Sequence, residues 1–133
     1  MRLTVSSTIS GNVIRGNPIG IWVSGKRNNK ISGNLIENNS IGVQLIGTFH
    51  NTIEKNNFLR NTYDAFFDTA IGNRWRQNYW EKPQVMPKVI RGYLVTYEYY
   101  PPVGGGFVVR IPWINIDWHP ASVPYEISFP SPS

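Results

Sequence analysis

Apolar and polar residues recur along the first part of the chain with a period of 22 residues. Segments 7–16, 29–38 and 51–60 read STISGNVIRG, NKISGNLIEN and NTIEKNNFLR. Aligned at this interval without gaps, two apolar columns run through four repeats: Ile9, Ile31, Ile53 and Trp75, and Ile14, Ile36, Phe58 and Trp80. A repeat this short cannot bury its apolar face alone, so the pattern predicts units that stack on one another.

A third apolar segment of each repeat has the two-residue period of a β-strand. Its columns are Ile19, Ile41 and Tyr63; Ile21, Val43 and Ala65; and Val23, Leu45 and Phe67. Their β-branched residues favour strands, and the spacing predicts that all three columns point into the core. Trp22 and its column mates Gln44 and Phe66 stand between inward positions, so these side chains are predicted to point outward.

Asparagine occupies columns of its own between the apolar segments. They are Asn12, Asn34, Asn56 and Asn78; Asn17, Asn39 and Asn61; and Asn29, Asn51 and Asn73. An Asn side chain tolerates left-handed turns, bonds to nearby backbone and can pass an amide hydrogen bond to the same residue in the next coil. We interpret the columns as structural ladders placed where each coil turns; the alternative is a row of ligand-binding amides.

Together these patterns predict an all-β fold whose first 83 residues form a single-stranded parallel β-solenoid of about three to four coils. The coils are predicted at 7–28, 29–50, 51–72 and 73–83, stacked about 4.8 Å apart like hydrogen-bonded strands. The composition then changes, because eight of the ten prolines lie in residues 84–133. This segment is predicted to be an irregular, aromatic and Pro-rich cap containing a β-hairpin, with strands over 89–100 and 107–111.

The repeat resembles the right-handed parallel β-helix repeats of NosD-like proteins and of the carbohydrate-binding and sugar-hydrolase group. The motif N-x-I-x-x-N-x-I-x-x-N-x-x-G-I is carried by Asn29, Ile31, Asn34, Ile36, Asn39, Gly42 and Val43. Residues 78–80, 111–121 and 124–125 are similar to the closing segment of NosD-like proteins, which are usually secreted. The resemblance implies a right-handed coil, an extracellular or cell-surface location and the C-terminal portion of a longer β-helix. The fold hosts several functions, so function has to be argued from the site.

Composition narrows the classes of function. Thirteen Lys and Arg against eight Asp and Glu give a net charge of +5, but the basic residues are scattered, which favours a solvated surface over a nucleic-acid interface. The absence of cysteine removes thiolate catalysis and zinc-thiolate sites. No apolar run is long enough to span a membrane, and Met1 to Thr4 does not open a signal peptide.

The sequence indicates no metal site and no cofactor. His50 and His119 are the two histidines, far apart in sequence, and with Met1 and Met86 they lack the matched ligand spacing that copper or zinc needs. The copper label of NosD-like relatives therefore gets no support from these residues.

Three hypotheses for function follow. The first is a non-catalytic surface or secreted module that binds a polysaccharide or serves as an interaction domain, with Trp22, Gln44 and Phe66 as the ligand-binding strip. The second is a polysaccharide-active enzyme using Asp64 and Asp68, which depart from the repeat but lie about 13 Å apart along a straight strand. The third is a purely structural stalk or cap.

The first coil carries a further expectation about assembly. Ile9 and Ile14 would lie at an open end of the solenoid, where uncovered strands and apolar side chains favour association. Self-association through this N-terminal coil, most simply as a two-fold dimer, is therefore predicted.

Overall fold

The computed structural model describes residues 2–3, 6–25, 27–81, 86–100 and 105–127, and in these ranges all regular structure is β-strand. The strands are β1 Arg2–Leu3, β2 Thr8–Ser10, β3 Val13–Arg15, β4 Ile19–Ser24, β5 Lys30–Ser32, β6 Leu35–Glu37, β7 Ile41–Ile46, β8 Thr52–Glu54, β9 Asn57–Leu59, β10 Tyr63–Asp68, β11 Arg74–Arg76, β12 Lys88–Tyr100 and β13 Gly105–Asp117. Parts of the features predicted above lie outside the described residues: Met1 and Thr4, residues 82–83 at the end of the fourth predicted coil, and residues 101–104 between the two predicted hairpin strands.

The strands stack in parallel as a β-solenoid of about four turns. The first three coils contribute three strands each, and the fourth contributes β11. Equivalent strands pair at an interval of 22 residues: Ile9 with Ile31, Ile14 with Ile36, and Val23 with Leu45. The short strands form the columns β2-β5-β8-β11 and β3-β6-β9, and the six-residue strands form β4-β7-β10. The predicted fold class and the 22-residue period are confirmed.

The core is aliphatic in the first coils and aromatic toward the C-terminal end. Ile21, Ile31, Ile36 and Val43 are fully buried. In the last coils the same columns hold rings: Phe58 stacks on Trp80 with centroids 4.4 Å apart, and Trp75 lies 6.0 Å from Trp80. The larger side chains fill the cross-section where no complete coil follows.

One predicted inward column was wrong: Ile19, Ile41 and Tyr63 do not point into the core. Tyr63 is 66% exposed and the two isoleucines are half-buried. The inward positions belong to Gly20 and Gly42 instead. A Cβ on Gly20 would lie 2.6 Å from the carbonyl oxygen of Gly42, and a Cβ on Gly42 would overlap the Asp64 carbonyl. The backbones of successive coils approach too closely for a side chain at Gly20 or Gly42. The alternation of inward and outward residues in β4 and β7 is therefore shifted by one residue at the start of each strand.

The Asn columns form continuous hydrogen-bonded ladders. The Asn34 amide nitrogen donates to Asn56 Oδ1 at 3.0 Å, and the Asn56 amide nitrogen donates to Asn78 Oδ1 at 3.1 Å. The same two oxygens also accept the backbone N–H of the residue one coil earlier. Equivalent bonds join Asn17, Asn39 and Asn61, and Asn29, Asn51 and Asn73. Each amide therefore satisfies backbone and side-chain groups at once, as buried polar groups require.

The left-handed conformation expected of the ladder Asn residues belongs to the residue before each of them. These residues have φ between 51° and 72° and are Gly11, Gly16, Asn28, Gly33, Asn38, His50, Lys55, Arg60, Gly72 and Gln77. Glycine and Asn adopt this region at little cost. Two adjacent residues therefore have separate roles: the first adopts the left-handed turn, and the Asn after it supplies the side-chain amide of the ladder.

The C-terminal hairpin closes the end of the solenoid. Strands β12 and β13 pair antiparallel from Lys88 opposite Asp117 to Tyr100 opposite Gly105. β12 then adds to β10 through Gly92 and Tyr93, and β13 adds to β11 through Asp117. The hairpin therefore joins the two sheet columns into one ten-stranded sheet and covers edges that would otherwise be open to association.

Asp117 anchors this closure, a role that the sequence did not reveal. Its carboxylate is fully buried and lies where a fifth ladder Asn would stand. It accepts hydrogen bonds from the backbone N–H of Gln77, Asn78 and His119, and from the side chains of Asn78 and Trp80. Five donors satisfy the charge, so one acidic residue both ends the first ladder and docks the hairpin.

Candidate ligand-binding groove

The outer face of strands β4, β7 and β10 positions the side chains of the candidate site. Trp22 pairs in register with Gln44, and Gln44 with Phe66, so the three predicted residues lie side by side on adjacent strands. The displaced column of Ile19, Ile41 and Tyr63 shares this face. The result is two parallel columns of large side chains along one flank of the solenoid.

A groove of about 820 Å³ lies between this flank and the hairpin. Its solenoid wall is formed by β7 and β10, and its other wall by β12 and β13. The lining residues are Ile41, Gln44, Tyr63, Ala65, Phe66, Arg91, Gly92, Tyr93, Pro112, Trp113 and Ile114. Phe66 and Tyr93 meet at its base with ring centroids 6.2 Å apart and planes tilted by 58°. Its size and largely apolar, aromatic lining are those of ligand-binding pockets.

The groove includes two of the three predicted ligand-binding residues. Gln44 and Phe66 line it, whereas Trp22 lies one coil nearer the N-terminus, half-buried and outside the lining. The hairpin adds to the sheet beside β10, at the end of the flank away from β4 and Trp22, so the lining takes in Gln44 and Phe66 and not Trp22. The structure thus places the concave part of the surface at the second and third coils.

The sequence pattern did not point to the other groove residues, among them Tyr63, Arg91 and Trp113. Tyr63 was assigned to the core because its column mates are isoleucines, yet the change from Ile to Tyr in that column is the signal of a position that opens to solvent. Arg91 and Trp113 come from the hairpin, where the repeat no longer predicts which way a side chain points. Trp113 is 52% exposed.

A second, smaller cleft adjoins the groove between β10 and the start of β12. It measures about 300 Å³ and is lined by Thr62, Tyr63, Asp64, Ala65, Trp80, Lys88, Val89, Ile90 and Arg91. Three residues, Tyr63, Ala65 and Arg91, line both spaces. Lys88 lies over the Trp80 ring, with its ammonium 5.6 Å from the centroid, a cation–π distance.

Asp64 and Asp68 occupy different surroundings on β10. Asp64 lines the second cleft and accepts a hydrogen bond from the Asn61 amide at 3.1 Å, which ends the second Asn ladder. Burial raises the pKa of Asp64, while that hydrogen bond and Lys88 act in the opposite direction. Asp68 instead forms an ion pair with Arg110, at 3.1 Å.

The two carboxylates are not brought together. β10 is continuous from Tyr63 to Asp68, and four residues of extended strand span about 13 Å. Paired glycosidase carboxylates stand about 5–9.5 Å apart. The geometry therefore offers no shared acid–base pair at these positions.

The fold and its groove define the chain as a parallel β-solenoid of 22-residue coils closed by a hairpin. More particularly, it belongs to the NosD family: the profile of that family, described as periplasmic copper-binding protein (NosD), matches residues 1–92. The match covers the whole solenoid and the first residues of β12. No curated protein and no solved structure matched the chain significantly.

The copper in the family description finds no matching donor set in the described part of the chain. There, no group of three or more His, Cys, Asp or Glu residues lies together as metal ligands do. His50 sits at a left-handed turn beside Gly72, and His119 is exposed in the cap. Copper sites are built from several imidazole or sulfur ligands, so these residues do not fit the ion.

The described residues also contain no helix of the length and apolarity that crossing a membrane requires.

Proposed function

We propose that this chain is a non-catalytic periplasmic β-solenoid module that binds a polysaccharide chain in the groove between its flank and its hairpin. The observation that carries the proposal is the aromatic groove itself, walled by Tyr63 and Phe66 on one side and Tyr93 and Trp113 on the other. The family description supports the periplasmic location.

A sugar chain suits this lining chemically. Pyranose rings have apolar C–H faces that stack on aromatic rings, and Tyr63 and Trp113 expose 66% and 52% of their surfaces. The Gln44 amide and the Arg91 guanidinium supply the few polar groups that fix orientation by hydrogen-bonding to hydroxyls.

The separation of Asp64 and Asp68 supports a binding role over a hydrolytic one. Asp68 is engaged by Arg110, and Asp64 faces a different cleft. A hydrolase needs an acid and a second carboxylate on either side of one glycosidic bond, and the described residues that line the groove include no carboxylate.

The test is a glycan array with the purified chain, repeated with Trp113→Ala and Tyr63→Ala. The matched control is Trp118→Ala, because Trp118 is 63% exposed but does not line the groove. Each groove substitution is expected to weaken binding about two- to tenfold, the range of one aromatic contact, and the control to leave it unchanged. Silence across the array, or equal losses in all three variants, would overturn the proposal and leave a structural module.

A further inference from the structure

We infer that the polysaccharide bound in the groove is acidic, with a uronate carboxylate held by Arg91; this inference rests on the proposed function. Arg91 is exposed on β12 and lines both the groove and the second cleft. It stands opposite Ile114 of β13 in the hairpin register. Its guanidinium is therefore the cationic group at the junction of the two spaces.

Other arginines near a carboxylate in the described part of the chain are already ion-paired. Arg15 and Arg60 bind Glu37 at 3.0 and 2.8 Å, and Arg76 lies 3.7 Å from Glu54. Arg110, on β13, binds Asp68 and also lies over the Tyr93 ring at 4.2 Å. Each of these arginines therefore already has a carboxylate partner within the protein, although Glu37 serves both Arg15 and Arg60.

Arg91 differs because it forms no ion pair with any described carboxylate. The acid of the adjoining cleft, Asp64, has its Oδ1 engaged by the Asn61 amide. A guanidinium presents a planar fork of donors that matches a carboxylate in a bidentate, charge-assisted arrangement. Because Arg91 lines the groove beside the aromatic walls, that fork can take the acid group of a sugar whose ring stacks on Tyr63 or Trp113.

The surrounding charge favours an anionic chain as well. Lys88 adds a second cation in the cleft next to Arg91, and the whole chain carries a net charge of +5. Such a potential raises the local concentration of an acidic polymer and accelerates its association at low salt. The uronate carboxylate binds Arg91, and the sugar faces bind the aromatic walls.

The test compares matched acidic and neutral ligands: oligogalacturonate and oligomannuronate, each as free acid and as methyl ester. For at least one of the two sugars, the acid is expected to bind about tenfold or more tightly than its ester at low ionic strength, as charge-assisted hydrogen bonds allow, and to lose that advantage in salt. Arg91→Gln should abolish the difference between acid and ester, and its loss of ester binding should be smaller than its loss of acid binding, because the ester keeps only the hydroxyl contacts of this side chain. The control is Arg74→Gln, which removes the same charge from an exposed residue outside both spaces.

The outcomes separate this inference from the function on which it rests. Equal binding of acid and ester for both sugars, or array hits confined to neutral glycans, would overturn the inference that the ligand is acidic. Either result would leave the proposed carbohydrate-binding function standing. Equal loss in Arg74→Gln, or equally tight binding of poly-L-glutamate, would show attraction to charge alone and also overturn it. Absence of any glycan binding overturns both proposals.

Discussion

The coils and the hairpin reach stability in different ways. In the coils the backbone pairing and the ladder bonds are repeated: Asn34, Asn56 and Asn78 make nearly the same bonds, and strands pair with their equivalents 22 residues away. In the hairpin the decisive contacts occur once, above all at Asp117. In the coils the stabilising free energy is spread over many equivalent positions. In the hairpin it depends on a few single residues.

The largest expected effect comes from removing the single anchor of the hairpin. Asp117→Ala leaves five donors without their acceptor, several of them buried, and should lower the free energy of unfolding by about 4 kcal/mol. Urea unfolding followed by tryptophan fluorescence measures this. Asp117→Asn keeps the shape and should lose less. A cost for Asp117→Ala below about 1 kcal/mol would show that the hairpin docks without its carboxylate.

A smaller effect is expected at the centre of a ladder. Asn56→Ala removes a fully buried amide that accepts from Asn34 and donates to Ile31 and Asn78, and should cost about 3 kcal/mol. Asn12→Ala, at the half-buried start of the same ladder, is the control and should cost about 1 kcal/mol or less. Thermal melts of both variants give the comparison. If Asn56→Ala cost as much as Asp117→Ala, the contrast between distributed and concentrated energy would be wrong.

The smallest expected effect is a gain in stability, from a substitution at Asp64. Because burial raises its folded-state pKa above the unfolded value, the ionised carboxylate opposes folding at neutral pH, and this penalty is relieved as the pH falls through the folded pKa. Asp64→Asn should therefore raise the melting temperature slightly at pH 7, with the gain vanishing on acidification. The control is Asp68→Asn, which removes an ion pair with the exposed Arg110 and should bring no gain. A gain that persisted unchanged at low pH would contradict the assignment to ionisation.

The glycan-binding experiments test the same contrast between coils and hairpin at the groove, which is lined by residues of both. Its coil wall includes Gln44 and Phe66, whose neighbouring positions the 22-residue register already placed together. Its hairpin wall includes Arg91 and Trp113, which no repeat could place. The proposed specificity for acid depends on the hairpin, and the proposed stacking surface depends on both walls.

The repeat in the sequence was sufficient to predict the solenoid, because its main contacts join equivalent residues of neighbouring coils. Once one coil packs on the next, a column such as Ile9, Ile31 and Ile53 must recur at the same depth, and the register follows. The Asn ladders were predictable for the same reason. The error at Ile19, Ile41 and Tyr63 arose because a two-residue period assumes a regular strand, and Gly20 and Gly42 interrupt it through a backbone approach that only coordinates reveal.

The pattern of residues therefore decided the fold, the coil length, the ladders and the outward positions of Gln44 and Phe66, since each depends on equivalent neighbours one period away. Tertiary structure alone decided the role of Asp117, the position of Arg91 and the existence of the groove. Asp117 accepts a hydrogen bond from Asn78, which is 39 residues away in the sequence. Arg91 lies beside the solenoid flank only because the hairpin pairs with β10 through one strand and with β11 through the other. Non-repeating contacts at long sequence separation leave no periodic signal, so they become visible only when the chain is folded.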